Sequence, residues 1–516
     1  MISKIHSITV NWLNSEIIEI EVDINNWMPA FKIVGLPDQS VQESKERIRS
    51  ALKNSWKKLP TNRIIVNLAP ADIKKTGPSF DFPIAIGILL NSGEIEEKLI
   101  SESIFIWELS LNWDLRKVNS ILPATIKAKE KGFKRIFIPY ENSPEASIIP
   151  WIEIIRVKNL TWVIKMLNSE IALDITPKLD FKDFSKKANK FSENSKFDFK
   201  YVIGQNHAKR ALEIAAAWGH NIIMEWPPWS WKTMLSKSFS GILPELSINE
   251  AIEISKIYSI SGLLTHDNPI ITKRPFRTVH HTASAISIIW GWTNAKPGEI
   301  SLSHKWVLFL DEILEFEKSV LEVLRQPLED WMITVNRVNA TYTYPANFIL
   351  VWAMNPCPCG FLTDPDKECI CSIRQISNYR SRLSWPLIDR IDIFIEVPKV
   401  KTEEFKTWED YSWRETSESI KTRVEKARIL QLKRFENTKI TFNAEMQTKQ
   451  INKFCILDSE SEKILKQAVA SMDLSARAYY RILKLSRTIA DLEEIKNIET
   501  KHILEALSFR KKEEEV

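Results

Sequence analysis

The chain predicts an α/β fold: two successive α/β domains followed by a helical one. Three observations carry that prediction. Strand-like apolar runs alternate with helix-like runs from the N-terminus to about residue 398. Three of those runs, at 222–224, 307–310 and 348–351, lead into residues with chemistry to perform, as parallel strands do when they deliver ligands to one sheet edge. Beyond residue 398 the sequence reads as helices.

Taken in order, strands are expected at 5–10, 16–23, 31–34, 63–68 and 135–138. A helix is expected over Gln39–Asn54, with Val41, Ile48 and Leu52 on one face, and others at about 82–91 and 122–131. Residues 1–172 form this first domain. Residues 173–197, rich in Lys, Ser, Asp and Asn with little apolar periodicity, read as a linker. A nucleotide-binding domain spans 198–398 and a helical domain 399–516, with helices at about 416–435, 459–471, 475–490 and 499–510. Residues 330–345 read as a β-hairpin turning near Arg337 to Asn339, with Arg337 either a phosphate contact or an ordinary surface arginine.

The bulk numbers bound the class. At 516 residues the chain holds two to four domains, and 44% hydrophobic with 27% charged residues is ordinary for a soluble globular protein. No apolar run is long enough to span a membrane, and the first residues lack the apolar segment of a signal peptide, so the expectation is cytoplasmic with no membrane partner. A net charge of +5 leaves any DNA contact to local patches. Five cysteines, four of them clustered, do not make a disulfide scaffold.

The central motif is spoiled as printed. Residues 222–234 become a phosphate-binding loop of the form G-x-x-x-x-G-K-[ST] if Trp226, Trp229 and Trp231 are replaced by glycine. The loop is then Trp226, Pro227, Pro228, Trp229, Ser230 and Trp231, closed by Lys232 and Thr233. Its backbone N–H groups must curl round phosphates, and indoles would fill their place. The composition agrees. There are 12 glycines and 19 tryptophans, where about 36 glycines would be usual at roughly 7%. Several tryptophans stand in turn contexts, at Trp12, Trp113, Trp331 and Trp385. The pattern is that of a gene whose UGA codons mean glycine and were rendered as tryptophan. The alternative is a genuinely Trp-rich scaffold with a dead nucleotide site.

With glycine in the loop, the other parts follow. Val307–Leu310 ends in Asp311 and Glu312: Asp311 is placed to hold Mg²⁺ with Thr233, and Glu312 to orient the attacking water. Asn355, after the strand at 348–351, can reach the γ-phosphate or that water. Arg390 is the candidate arginine finger toward a neighbouring subunit's nucleotide, and Arg477, in a helix capped by Ser475, could reach a γ-phosphate. For each arginine a solvated or salt-bridged role is the alternative. His280 and His281 are ligands or, in the plainer reading, loop and packing residues. Cys357, Cys359, Cys369 and Cys371 form a C-x-C…C-x-C cluster, either a structural Zn²⁺ site, tighter in spacing than the usual C-x₂-C, or four unligated thiols. Cys455 reads as core.

These stretches together resemble the ComM/YifB family of magnesium-chelatase-like AAA+ ATPases. The likeness runs through residues 201–205, the phosphate loop, residues 274–281, residues 297–304 leading into the acidic strand, residues 353–356 and the Arg477 region. It implies an ATP- and Mg²⁺-dependent ring, hexameric, that remodels DNA as in branch migration. The N-terminal domain resembles the Lon-protease-like domain of the same family, where Ser79 falls at the position of Lon's nucleophile. A serine–lysine dyad needs a nearby lysine; the corresponding stretch, 119–125, has none, and Lys117 lies on the strand side of the turn. That domain is therefore read as non-catalytic. Competing functions are a motor for metal insertion into a tetrapyrrole, an ATP-dependent protease and a nucleotide-dead scaffold.

Overall fold

The computed structural model describes residues 2–510 apart from 12, 56, 58, 76, 193–196, 228–231, 275, 292–295, 338–339, 400–413, 437, 439 and 473. The chain divides into two compact units. One comprises Met1–Lys187 together with Ile248–Thr272, the other Ala188–Ser247 together with Lys273–Val516. No described helix is long and apolar enough to cross a membrane.

The first unit is built on a seven-stranded sheet. Its spatial order is Ala30–Val34, Arg63–Ala69, Asn14–Asn25, Ser3–Asn11, Ser103–Phe105, Arg135–Pro139 and Glu153–Val157. Alternating residues of the two long strands point into the core, with Ile5 opposite Ile20 in the antiparallel register. The helix Gln39–Asn54 lies where its apolar face predicts, its first turn capped by Asp38, which accepts from the Val41 N–H at 2.8 Å. Val41, Ile48 and Leu52 are all buried.

Two departures from the sequence reading have physical causes. Ser103–Phe105 and most of Glu153–Val157 are buried on both faces, so they lack the alternation that marks a strand. The expected linker contains a helix, Phe181–Ser192. Phe181 and Phe184 sit one turn apart there, a spacing too sparse to stand out among the polar residues.

The excursion Ile248–Thr272 joins the first unit by specific bonds. The Glu145 carboxylate is buried, which pushes its pKa up, and it accepts from the Ser259 hydroxyl at 2.5 Å and from the Leu122 N–H at 3.0 Å. Lys117 donates to the Leu264 carbonyl at 2.8 Å, and Ile252 packs against the cluster of Ile121, Ala124 and Ala128.

The second unit holds a five-stranded parallel sheet in the order Phe276–Val279, Val307–Leu310, Ile349–Met354, Ile222–Glu225, Ile393–Glu396. The first strand in sequence thus lies between the last two. The sequence order reverses beside it, which opens a crevice at the strands' carboxyl ends. A hairpin, Met332–Arg337 paired with Ala340–Pro345, lies between the sheet's third and fourth strands in sequence, the expected turn residues 338–339 falling outside the described residues. The C-terminal helices Ser417–Arg434, Ser459–Ser471, Ala476–Leu492 and Thr500–Ser508 share one apolar core with the sheet. Inside it the buried Asp491 accepts from Gln431, Arg434, Asn443 and Arg487. Buried charge of this kind is tolerated only when paired and hydrogen-bonded.

Several tryptophans stand in settings unusual for that residue. Ten described non-glycine residues have a left-handed φ, and three are tryptophan: Trp113 at 61°, Trp151 at 68° and Trp331 at 53°. Trp331 closes the helix Arg325–Asp330, its N–H bonded to the Pro327 carbonyl at 3.0 Å, a position where glycine is usual. The indoles of Trp107, Trp226 and Trp352 are fully buried, yet their Nε1 donors have no partner among the described residues. A buried indole N–H normally finds one. Trp385, by contrast, opens a short helix rather than a turn.

Candidate nucleotide site and a cysteine cluster

Every parallel strand of the second unit delivers its chemistry to the same edge. Ile222–Glu225 runs into the phosphate loop, and the helix Lys232–Phe239 begins where the loop ends, as phosphate binding at a helix N-terminus demands. Pro228, Trp229, Ser230 and Trp231, and the side chains of Lys232 and Thr233, lie outside the described residues. Trp226 does not. Its backbone N–H bonds the Met354 carbonyl at 2.9 Å and its side chain is 1% exposed within the core. The strand Ile222–Glu225 and the helix Lys232–Phe239 flank the loop in the order a phosphate site requires, and the Trp226 indole is packed into the core cluster.

Asp311 and Glu312 follow Leu310 at this edge, and Asn355 follows Met354. Glu312 stands in the left-handed region at φ 52°, which turns the chain abruptly after the strand. His281, just beyond Val279, places Nδ1 3.4 Å from the Glu312 carboxylate, and its ring lies against that of His280, centroids 4.1 Å apart and planes tilted by 34°. His281 thus meets the acidic corner, while His280 bonds the Thr282 hydroxyl at 3.0 Å. Two further residues of this edge were missed from sequence. Arg380 donates to the buried Glu225 at 3.2 Å and to the Pro356 carbonyl at 3.4 Å, tying the start of the phosphate loop to the loop beyond Asn355.

That second loop carries the cysteines. The sulfurs of Cys357, Cys359 and Cys369 lie 3.4–3.6 Å apart, and all four ligand atoms, including that of Cys371, fall within 4.8 Å of one another. A tetrahedral site with Zn–S bonds near 2.3 Å needs sulfurs about 3.8 Å apart. Burial pushes the Cys359 thiol up, but the N–H groups of Phe361 and Ile370 outweigh it and bring it down to about 6. The cluster fits a metal, and a metal there would fix the loop that begins at Asn355.

Arg390 and Arg477 are not at this edge. The Arg390 carbonyl accepts from the side chain of Asn221 at 3.2 Å, and Asn221 precedes the loop strand. Arg477 donates to Asp389 at 3.3 Å and lies 3.5 Å from Glu329, which also accepts from Arg390. Four strand residues separate this end from the phosphate loop, roughly 13 Å at 3.3 Å each. The arginines line a cavity of about 620 Å³ with Arg481, Lys484 and Glu329. Ser475 caps its helix as expected, accepting from the Ala478 N–H at 3.2 Å. Neither arginine serves this chain's own phosphate loop.

In the first unit, Ser79 sits in a single 3₁₀ turn, Pro78–Phe80. Lys75 is fully buried and donates to the Pro70 carbonyl, and Lys117 is held by Leu264. Both lysines are engaged by backbone carbonyls.

Comparison with known proteins accords with this architecture. Residues 198–405 match the family described as magnesium chelatase, subunit ChlI; residues 20–142 match subunit ChlI of Mg-chelatase, and 414–510 its C-terminal part. Competence protein ComM of Haemophilus influenzae is 41% identical over 499 residues, covering 96% of this chain and 95% of that protein. The chain belongs to the ComM/YifB family. The uncharacterized YifB proteins of Salmonella typhimurium and Escherichia coli are each 36% identical, covering 98% and 99% of this chain and 96% and 97% of their own lengths. The match to the magnesium-chelatase domain makes this an AAA+ ATPase-type protein, a type whose ligands are ATP and Mg²⁺.

Proposed function

We propose that the protein is an ATP-hydrolysing ring motor, a homo-hexamer of the cytoplasm, that binds and remodels branched or single-stranded DNA. One observation carries the ring. The phosphate loop, Asp311, Glu312 and Asn355 gather at one edge of the sheet, and Arg390 and Arg477 at the other. A complete site therefore needs the arginines of a second copy. DNA as substrate is supported by the family resemblance, by a relative named for competence, and by the hairpin that carries Arg337. The Lon-like first domain serves assembly or substrate engagement rather than proteolysis.

In this reading the loop N–H groups and Lys232 hold the phosphates, and Glu312 orients water, steered by His281. Asn355 fixes the terminal phosphate. Mg²⁺, held by Asp311 and Thr233, supplies charge neutralisation when bound. Zn²⁺ in the cysteine cluster holds Asn355 in place. All of this requires glycine at 226, 229 and 231, and we take the left-handed and orphaned tryptophans as support for that identity.

The first experiment is the mass of the native tryptic peptide 211–232, which holds four printed tryptophans. Glycine masses there, followed by DNA-stimulated ATPase activity that rises with protein concentration, uphold the motor. Tryptophan masses leave the scaffold reading. ATPase activity indifferent to DNA at low salt, where phosphate contacts are strongest, points instead to a chelatase-type motor.

A further inference from the structure

Glu329 is a residue the nucleotide mechanism does not use, yet it holds both candidate arginines. It accepts from Arg390 Nη2, and Arg477 Nη2 lies 3.5 Å from its other oxygen. Arg390 is 8% exposed, its Nη1 is bound to the Pro386 carbonyl, and its Nε has no partner among the described residues. Glu329 and Arg477 are the open members, their side chains 52% and 61% exposed, and both line the cavity. The other cations of that cavity are satisfied elsewhere. Arg481 donates to Asp392 at 2.5 Å, and Lys484 to the Ala444 carbonyl at 2.8 Å. The hydrogen bond from Arg390 holds the Glu329 carboxyl below its ordinary range, so it stands as an anion.

We propose that Glu329 is a resident counter-ion occupying the place of an incoming phosphate, displaced when the terminal phosphates of a nucleotide on a second copy reach Arg390 and Arg477. The proposal rests on the motor reading above. A carboxylate and a phosphate compete for the same guanidinium fork. While no neighbour is docked, Glu329 keeps two guanidinium groups together that would otherwise repel. When a neighbour docks, the carboxylate must give way, so it weakens nucleotide affinity at the shared site. Glu329 is a positioning residue, and its helix, Arg325–Asp330, feeds directly into the hairpin Met332–Arg337.

The test is Glu329→Gln in the full chain, which keeps the shape and removes the charge. The expected result is a kcat/KM for ATP about fivefold higher, expressed through a lower KM, a size set by one half-exposed ion pair. In an Arg390→Ala background, where only Arg477 still pairs with Glu329, the same substitution should give a smaller gain. A merely structural Glu329 would instead lower kcat/KM in both backgrounds, and that result overturns the proposal. A second measurement does not depend on hydrolysis. In a Lys232→Ala background, tripolyphosphate binding by calorimetry should tighten about fivefold with Glu329→Gln and vanish with Arg390→Ala. Unchanged binding overturns the counter-ion role. Wild-type protein without ATPase activity, alongside tightened tripolyphosphate binding, sinks the motor reading and leaves the counter-ion standing.

Discussion

The two edges of the central sheet solve opposite problems. At the carboxyl edge, small residues and backbone N–H groups must leave room for an anion, and the acids Asp311 and Glu312 stand close to it. At the amino edge, long cationic side chains fill a cavity and are held by acids of their own, Glu329, Asp389 and Asp392. One edge has the place for a phosphate but few cations; the other has cations already neutralised. The difference teaches that each edge holds what the other lacks. The proposed ring, setting one copy's amino edge against the next copy's carboxyl edge, would complete both.

Mixing experiments can break that comparison most sharply. Arg390→Ala should lower kcat by about 10³-fold or more, the usual worth of an arginine finger. So should Lys232→Ala. Equimolar mixtures of the two inactive variants should regain measurable ATPase activity, because some interfaces then pair an intact loop with intact arginines. Two dead proteins whose mixture stays dead would place both functions in one copy.

The carboxyl edge is sharpened by its cysteines. Cys357→Ser with Cys369→Ser should lose one equivalent of bound zinc and lower Tm by roughly 5 °C. ATPase activity should fall about tenfold as Asn355 shifts, with little change at the amino edge. Metal analysis and calorimetry on the same sample read both effects.

Trp331 lines the same cavity as the amino-edge arginines. Restoring glycine there should stabilise the protein by about 1 kcal/mol in denaturant unfolding, relief of a left-handed side chain. Trp331→Ala should gain nothing. An equal gain from both would mean that the indole's bulk, not its φ of 53°, is at fault.

An effect of similar size belongs to Lys484. Burial lowers its pKa to about 8 from the ordinary 10.5. Between those values the unfolded chain binds the proton and the folded chain does not, so stability rises with pH across that window. Lys484→Met should flatten that rise by about 1 kcal/mol after solvent screening.

Much of the carboxyl edge was legible in the sequence, because its residues follow strands directly. Asp311 follows Leu310 and Asn355 follows Met354, and the cysteine pairs are two residues apart. The helix Gln39–Asn54 was readable to the residue, since its apolar face and Asp38 cap are local signals. The amino edge was not legible as a site. Arg390 and Arg477 could be singled out, but Glu329 lies 61 positions from Arg390 and joins it only through the fold. Doubly buried strands such as Ser103–Phe105 carry no period to read. The docking of Ile248–Thr272 on the first unit leaves no mark in its own composition either.

That docking changes what the N-terminal unit is. The chain crosses between units three times, after Lys187, after Ser247 and after Thr272. Removing residues 1–187 would therefore strand Ile248–Thr272 without the surface it packs on, and the remainder would not be a clean motor fragment. It also means that a load on the N-terminal unit is borne by covalent tethers at both ends of a segment lying between the loop strand Ile222–Glu225 and the strand Phe276–Val279. The first unit is thus completed by a segment that the chain supplies from between two strands of the second unit's sheet.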